Sequence, residues 1–126
     1  MRRALAPLTL MVVIFYLSAQ PDLSSGLGVW DTILRKAAHM IEYAALAALW
    51  AWTLWAVVPR RAAVAAAAAI AIAYAVSDEL HQSTVEGRNG SPVDVGIDAI
   101  GVAAVTLRLR YDRGPRRAVP EQREDP

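Results

Sequence analysis

The sequence contains no cysteine, which excludes disulfides, a thiolate nucleophile and a Cys-ligated zinc, and leaves the redox compartment unmarked. An excess of charge of one sign is missing too. Thirteen basic residues stand against 12 acidic ones, for a net charge of +1, and no basic stripe is interleaved with aromatics, so nucleic acid is not an expected partner. Polar residues are confined to a few short blocks. Of the 126 residues 56% are hydrophobic and the mean hydropathy is +0.30, too apolar for an ordinary soluble domain of this length.

What remains is four apolar segments, residues 4–19, 33–58, 62–82 and 93–109. Each approaches the roughly 20 residues that a helix rising 1.5 Å per residue needs to cross about 30 Å of hydrocarbon. Turn formers separate them: "PDLSSGLG" after the first, "VVPRR" after the second, "EGRNGSP" after the third. Residues 111–126, "YDRGPRRAVPEQREDP", combine charge and proline without apolar periodicity and read as a disordered polar tail. The sequence therefore predicts an all-α integral membrane protein with one four-helix domain over residues 1–110. Two other readings compete. Arg2 and Arg3 ahead of a short apolar core fit a cleaved signal peptide, although "YLSAQP" offers no small-x-small cleavage site. The run Ala65 to Ala69 fits a core helix of a soluble protein, but four such segments would leave too little polar surface to cover them. Alanines, with Gly96 and Gly101, suit close helix contact.

Orientation follows from the arginines. Arg2 and Arg3, Arg60 and Arg61, and Arg108, Arg110, Arg113, Arg116 and Arg117 all fall on one side of a four-pass chain, and the positive-inside rule makes that side cytoplasmic. Both termini are then cytoplasmic. Arg88 lies opposite, and Arg35 and Lys36 weaken the bias slightly. Trp30 near the outer side and Trp52 and Trp55 toward the inner side fit interfacial anchors.

This topology gathers the unusual polar residues into the outer half: Lys36, His39 and Glu42 from the second segment, Asp78, Glu79, His81 and Gln82 from the third, Arg88 from the loop, and Asp94 and Asp98 from the fourth. At about 100° per residue, Lys36, His39, Glu42 and Tyr43 share one helix face; Tyr74, Asp78, His81 and Gln82 share another; Asp94, Asp98 and Gly101 share a third. A charge at a helix centre costs about 2.5 to 3.5 kcal/mol even on the lenient insertion scale, so these groups must pair, stay partly wet or change protonation. One polar pocket open to the outside satisfies that need. Intramembrane ionisable residues are by default a functional-site hypothesis. The competing reading is a structural polar clamp that joins three helices.

The motifs point to a family. "KAAHMIEYAAL" resembles the K-x-x-H-x-x-E-Y segment of the VanZ-like membrane proteins, and "SDELHQSTVEGRNGSPVDVGIDAIG" resembles that family's S-D-E-x-H-Q, G-R, D and G series in order and spacing. "YLSAQP" looks like the end of the family's first helix, and the resemblance covers roughly residues 5 to 105. The chain departs where the family often carries an aromatic and a proline before G-R, here "STVEGR". Asp98 stands where an asparagine or aspartate is expected. The resemblance implies a multi-pass envelope protein; the family's namesake is associated with low-level resistance to the glycopeptide teicoplanin, which targets cell-wall precursors.

The residues support three chemistries. An enzyme acting on a lipid-linked or envelope substrate would use His39 and His81 as proton carriers, with Glu42, Asp78 and Asp94 as acids or orienting groups. Its ligand would be held by Lys36, Arg88, Glu79, Gln82, Asp98 and Tyr43, Arg88 being suited to a bidentate grip on phosphate or carboxylate. A non-catalytic binder of an anionic lipid or cell-wall precursor needs the cations but no tuned histidine. Ion or proton transport is the third, and the apolar inner halves of the helices argue against a through-path. No H-E-x-x-H or H-x-x-E-H is present, and neither metal nor cofactor is expected. The bilayer is the expected partner, and the oligomeric state is left open. Ser18 and Gln20 could rim the pocket, and Ser77, four residues before His81, is a candidate hydroxyl nucleophile.

Overall fold

The computed structural model describes residues 2–21 and 25–112. These residues are helical apart from their connections: a 3₁₀ turn, Arg2–Ala4, leads into α1 (Leu5–Ser18), then α2 (Val29–Leu54), α3 (Arg60–Gln82) and α4 (Pro92–Tyr111). The four expected helices are present with shifted ends. α2 begins directly after the loop and stops at Leu54, because Pro59 lacks the N–H a continuing helix needs and restricts the residue before it. α4 opens on Pro92, with the Ser91 hydroxyl accepting from the Val93 N–H at 3.2 Å; this serine cap followed by an N-terminal proline is the favoured helix start. α4 also takes in Tyr111, the first residue of the expected tail. Residues 113–126, including Arg113, Arg116 and Arg117, lie outside the described part.

Asp31 organises the entry to α2. Its carboxylate accepts the Ser25 hydroxyl, the Ser25 N–H at 3.1 Å and the Leu27 N–H at 3.3 Å. The Ser25 hydroxyl first, then these N–H groups, hold the Asp31 carboxyl below its ordinary value of 3.8. A lowered folded value stabilises the loop above pH 3.8 and ceases to do so as the pH falls through it. Asp31→Ala at neutral pH is therefore expected to speed amide exchange at Ser25 and Leu27; unchanged rates would refute this account of the loop.

The helices run up and down. At one end the Thr53 hydroxyl donates to the Arg3 carbonyl at 3.1 Å and Arg60 Nη2 donates to the Leu109 carbonyl at 2.5 Å, joining the chain's start to the end of α2 and the start of α3 to the end of α4. At the other end α1 meets α3 through Ser18 and Asp78, and α2 meets α4 through Lys36 and Asp94. α2, α3 and α4 pack closely, and α1 leans on α2 and α3. The core is Ile14, Tyr43, Leu46, Ala47, Ala71, Ala75 and Val102, continued toward the arginine-rich end by Ala51, Val64 and Ala67. Ala63, Ala67, Ala71 and Ala75 are buried at four-residue spacing along α3, a stripe whose small side chains let the neighbouring backbones approach. Ile14 and Ser18 of α1 are buried in this bundle.

Gly101 and Gly96 divide. A Cβ on Gly101 would run into the Met40 carbonyl oxygen and lie 2.8 Å from Met40 Cγ, whereas one on Gly96 would meet nothing within 4 Å. Only Gly101 marks a close helix crossing.

Among the described residues, α3 alone is long and apolar enough to cross a membrane by length and composition. α1 has 14 residues, about 21 Å at 1.5 Å per residue. α2 and α4 are long enough but carry the polar residues singled out above.

Candidate functional site: a polar cavity between α2, α3 and α4

The end opposite the arginines holds a cavity of about 180 Å³. Since a single water needs only about 10–15 Å³ of such volume, a small polar headgroup fits. Of the expected site residues, Lys36, His39, Glu79, Gln82, Arg88, Asp94 and Asp98 line it. Thr32, Arg35 and Asn89 line it as well.

Ionic pairing crosses the cavity from α2 to α4. Lys36 pairs with Asp94, and His39 Nδ1 lies 4.0 Å from Asp98 Oδ2, an ion pair only when the imidazole is protonated. Lys36, His39, Asp94 and Asp98 thus form two rungs one helical turn apart. Asp98 is 2% exposed. Glu79 faces the connecting loop: its Oε2 accepts the Ser91 N–H at 2.7 Å, fixing the start of α4 against the end of α3. In the same loop Gly87 adopts φ +79°, a left-handed backbone that glycine enters without a Cβ clash. Its neighbour Arg88 borders the cavity, and the Arg88 Nε is buried with no hydrogen-bond partner.

Beneath the cavity is a second polar layer. The Ser18 hydroxyl donates to Asp78 Oδ2 at 2.7 Å, and Gln82 Nε2 donates to the same oxygen at 3.1 Å and to Ser18 Oγ at 3.3 Å. Asp78 is 3% exposed and Ser18 1%; the Tyr43 hydroxyl neighbours the Asp78 carboxylate in this layer. Half-buried Glu42 faces this layer electrostatically through Asp78. Gln82 links the layers, since it also lines the cavity.

Asp78, Tyr43 and Glu42 therefore sit beside or below the cavity, outside its lining. His81 is elsewhere: its ring stacks on Phe15 of α1, centroids 4.4 Å apart, with Nδ1 buried and unpartnered. Ser77 donates to the Tyr74 carbonyl at 2.8 Å and is exposed, which leaves no hydroxyl–imidazole pair. Gln20 donates back to the Tyr16 carbonyl at 3.1 Å. Ser18, expected at most on the rim, is a buried member of the lower layer.

The family model described as VanZ/LLP1 matches residues 3–110. The chain belongs to the VanZ/LLP1 family. Neither the curated proteins nor the solved structures compared with it gave a match. Membership in the VanZ/LLP1 family, together with the length and apolarity of α3, points to a membrane protein. In this VanZ/LLP1 chain the match takes in all four helices.

Proposed function

We propose that this VanZ/LLP1 protein crosses the membrane with all four helices, both termini cytoplasmic, and that its outward cavity binds the phosphate or carboxylate of an anionic lipid-linked or cell-envelope precursor. Support for the membrane arrangement comes from the inverted distribution of polarity. Asp78, Glu79, Gln82 and Asp98 are buried, while Val12, Tyr16, Ile41, Leu80 and Ile100, spread over the four helices, are each more than half exposed. Soluble monomers rarely expose apolar surface on that scale. Arg3 stacks over Trp52 and Arg60 over Trp55, at 4.8 and 4.4 Å, as expected of anchors at the cytoplasmic interface.

The observation that carries the ligand reading is Arg88. Lys36 is engaged by Asp94, but the Arg88 guanidinium borders a cavity large enough for a headgroup and retains a buried N–H that no protein group satisfies. An oxyanion would accept that N–H, and the planar fork of arginine suits two oxygens at once. The His39–Asp98 pair in the same wall favours a second reading, proton transfer to or from the bound molecule. Holding or altering a cell-wall precursor would be a route to the glycopeptide resistance associated with the family's namesake.

Native mass spectrometry of the protein purified in mild detergent, wild type beside Arg88→Gln and His39→Gln, tests this. The wild type should retain a selective anionic envelope lipid and Arg88→Gln should lose it, by a factor of about ten or more for one charged hydrogen-bonding partner. Loss of conversion with retention of ligand in His39→Gln would favour the enzyme. Absence of any selective ligand would leave the buried groups as a structural clamp.

A further inference from the structure

The arginines at the other end do more than orient the chain. Between the first turns of α3 and the last turns of α4 lies a second cavity, about 450 Å³ in volume. Arg60, Arg61 and Arg110 border it, and Val64, Ala68 and Leu107 form its apolar side. No carboxylate lines it, and none pairs with Arg61 or Arg110 among the described residues.

The three arginines have different duties. Arg60 is committed to the fold: it donates to the Leu109 carbonyl, covers Trp55 and bridges the two walls of the groove. Arg61 and Arg110 are exposed, one on each wall. Like charges facing one space repel until an anion enters. A soluble anion would satisfy the arginines but leave the apolar wall in water. A molecule with a phosphate at one end and an alkyl chain at the other matches both, and basic pockets between membrane helices on the cytoplasmic side characteristically take phospholipid headgroups.

We propose that this groove holds one anionic glycerophospholipid of the cytoplasmic leaflet, its phosphate between Arg61 and Arg110 and an acyl chain along Val64, Ala68 and Leu107. The proposal rests on the membrane-spanning reading above, but it concerns a different site and ligand from the outer cavity.

The test is native mass spectrometry of the full chain in mild detergent, titrated with phosphatidylglycerol, phosphatidylcholine or inorganic phosphate. Wild type should retain one phosphatidylglycerol in preference to phosphatidylcholine. The double variant Arg61→Gln/Arg110→Gln should lose that preference about tenfold or more. Equal preference in wild type and double variant overturns the proposal. So does displacement of the lipid by inorganic phosphate at equal concentration, which would mark a plain anion site. Should the double variant fail to fold, wild type labelled with phosphatidylglycerol carrying a photoreactive acyl chain decides. Crosslinks on the α3 or α4 peptides that hold Val64, Ala68 and Leu107 support the groove, and crosslinks confined to α1 and α2 refute it. A chain that stays folded and dispersed without detergent would instead sink the membrane-spanning reading itself.

Discussion

Gly101→Ala is expected to lower the thermal unfolding midpoint in detergent and to weaken ligand retention, while Gly96→Ala does neither. The added methyl at position 101 would collide with the Met40 carbonyl oxygen. A carbonyl inside a helix cannot swing aside as a side chain can, so α2 and α4 must separate. Overpacking of this kind costs about 1–3 kcal/mol, against about 1 kcal/mol gained when alanine replaces glycine in a helix. At Gly96, with open space around it, only the gain remains. The loss at 101 should reach the cavity as well. Asp98 lies one turn before Gly101, and both rungs of the cavity, Lys36 with Asp94 and His39 with Asp98, span the same two helices. Equal melting behaviour of the two variants would show that the α2–α4 crossing is not tight.

The second large effect is expected at Asp78. Asp78→Ala strands the Ser18 O–H in the interior, where an unsatisfied group costs about 1–3 kcal/mol, and leaves the Gln82 amide only its longer bond to Ser18 Oγ. α1 should feel it first, because its other side-chain ties to α3 are only the Tyr74 hydroxyl donating to the Met11 carbonyl at 2.6 Å and the stack of Phe15 on His81. The measurement is hydrogen exchange along α1, with protection lost toward Ser18. Asp78→Asn keeps an acceptor for Ser18 and should be milder. Replacing the cluster together, Ser18→Ala with Asp78→Leu and Gln82→Leu, should recover much of the stability, since apolar groups of similar volume often substitute for a buried polar set. If α1 stays protected in Asp78→Ala, this cluster does not hold it.

The sequence made the helices and their polar ends legible because apolar runs, prolines and glycines mark them directly. Partner choice was less so. Lys36 shares its helix face with Glu42, but it is the crossing of α2 and α4 that brings Asp94 within reach of it. The helical-wheel argument assigned one polar face to α3 and placed His81 on it. In the structure the end of α3 is wedged between α1 on one side and α2 and α4 on the other, so it has two buried polar sides. Asp78 turns to Ser18, Glu79 turns to Ser91, and His81 falls against Phe15. A signal for Ser18 existed: it ends α1 at the depth where α3 carries Asp78. Thr32 and Arg35 border the cavity from the first turns of α2 and Asn89 borders it from the α3–α4 connection, and none of them belongs to a motif.

The Lys36–Asp94 rung has a consequence for biogenesis. Its two members are 58 residues apart in the chain, so on the membrane-spanning reading the lysine of α2 leaves the ribosome well before its counter-ion exists. At 5–20 residues per second that interval is roughly 3 to 12 s. Released into lipid alone, α2 would carry Lys36, His39 and Glu42 without their partners on α3 and α4, against the insertion cost of each charge. On that reading the nascent α2 would wait in a wet or protein-lined place until α4 arrives, and the helices would enter the bilayer as a group and not one at a time.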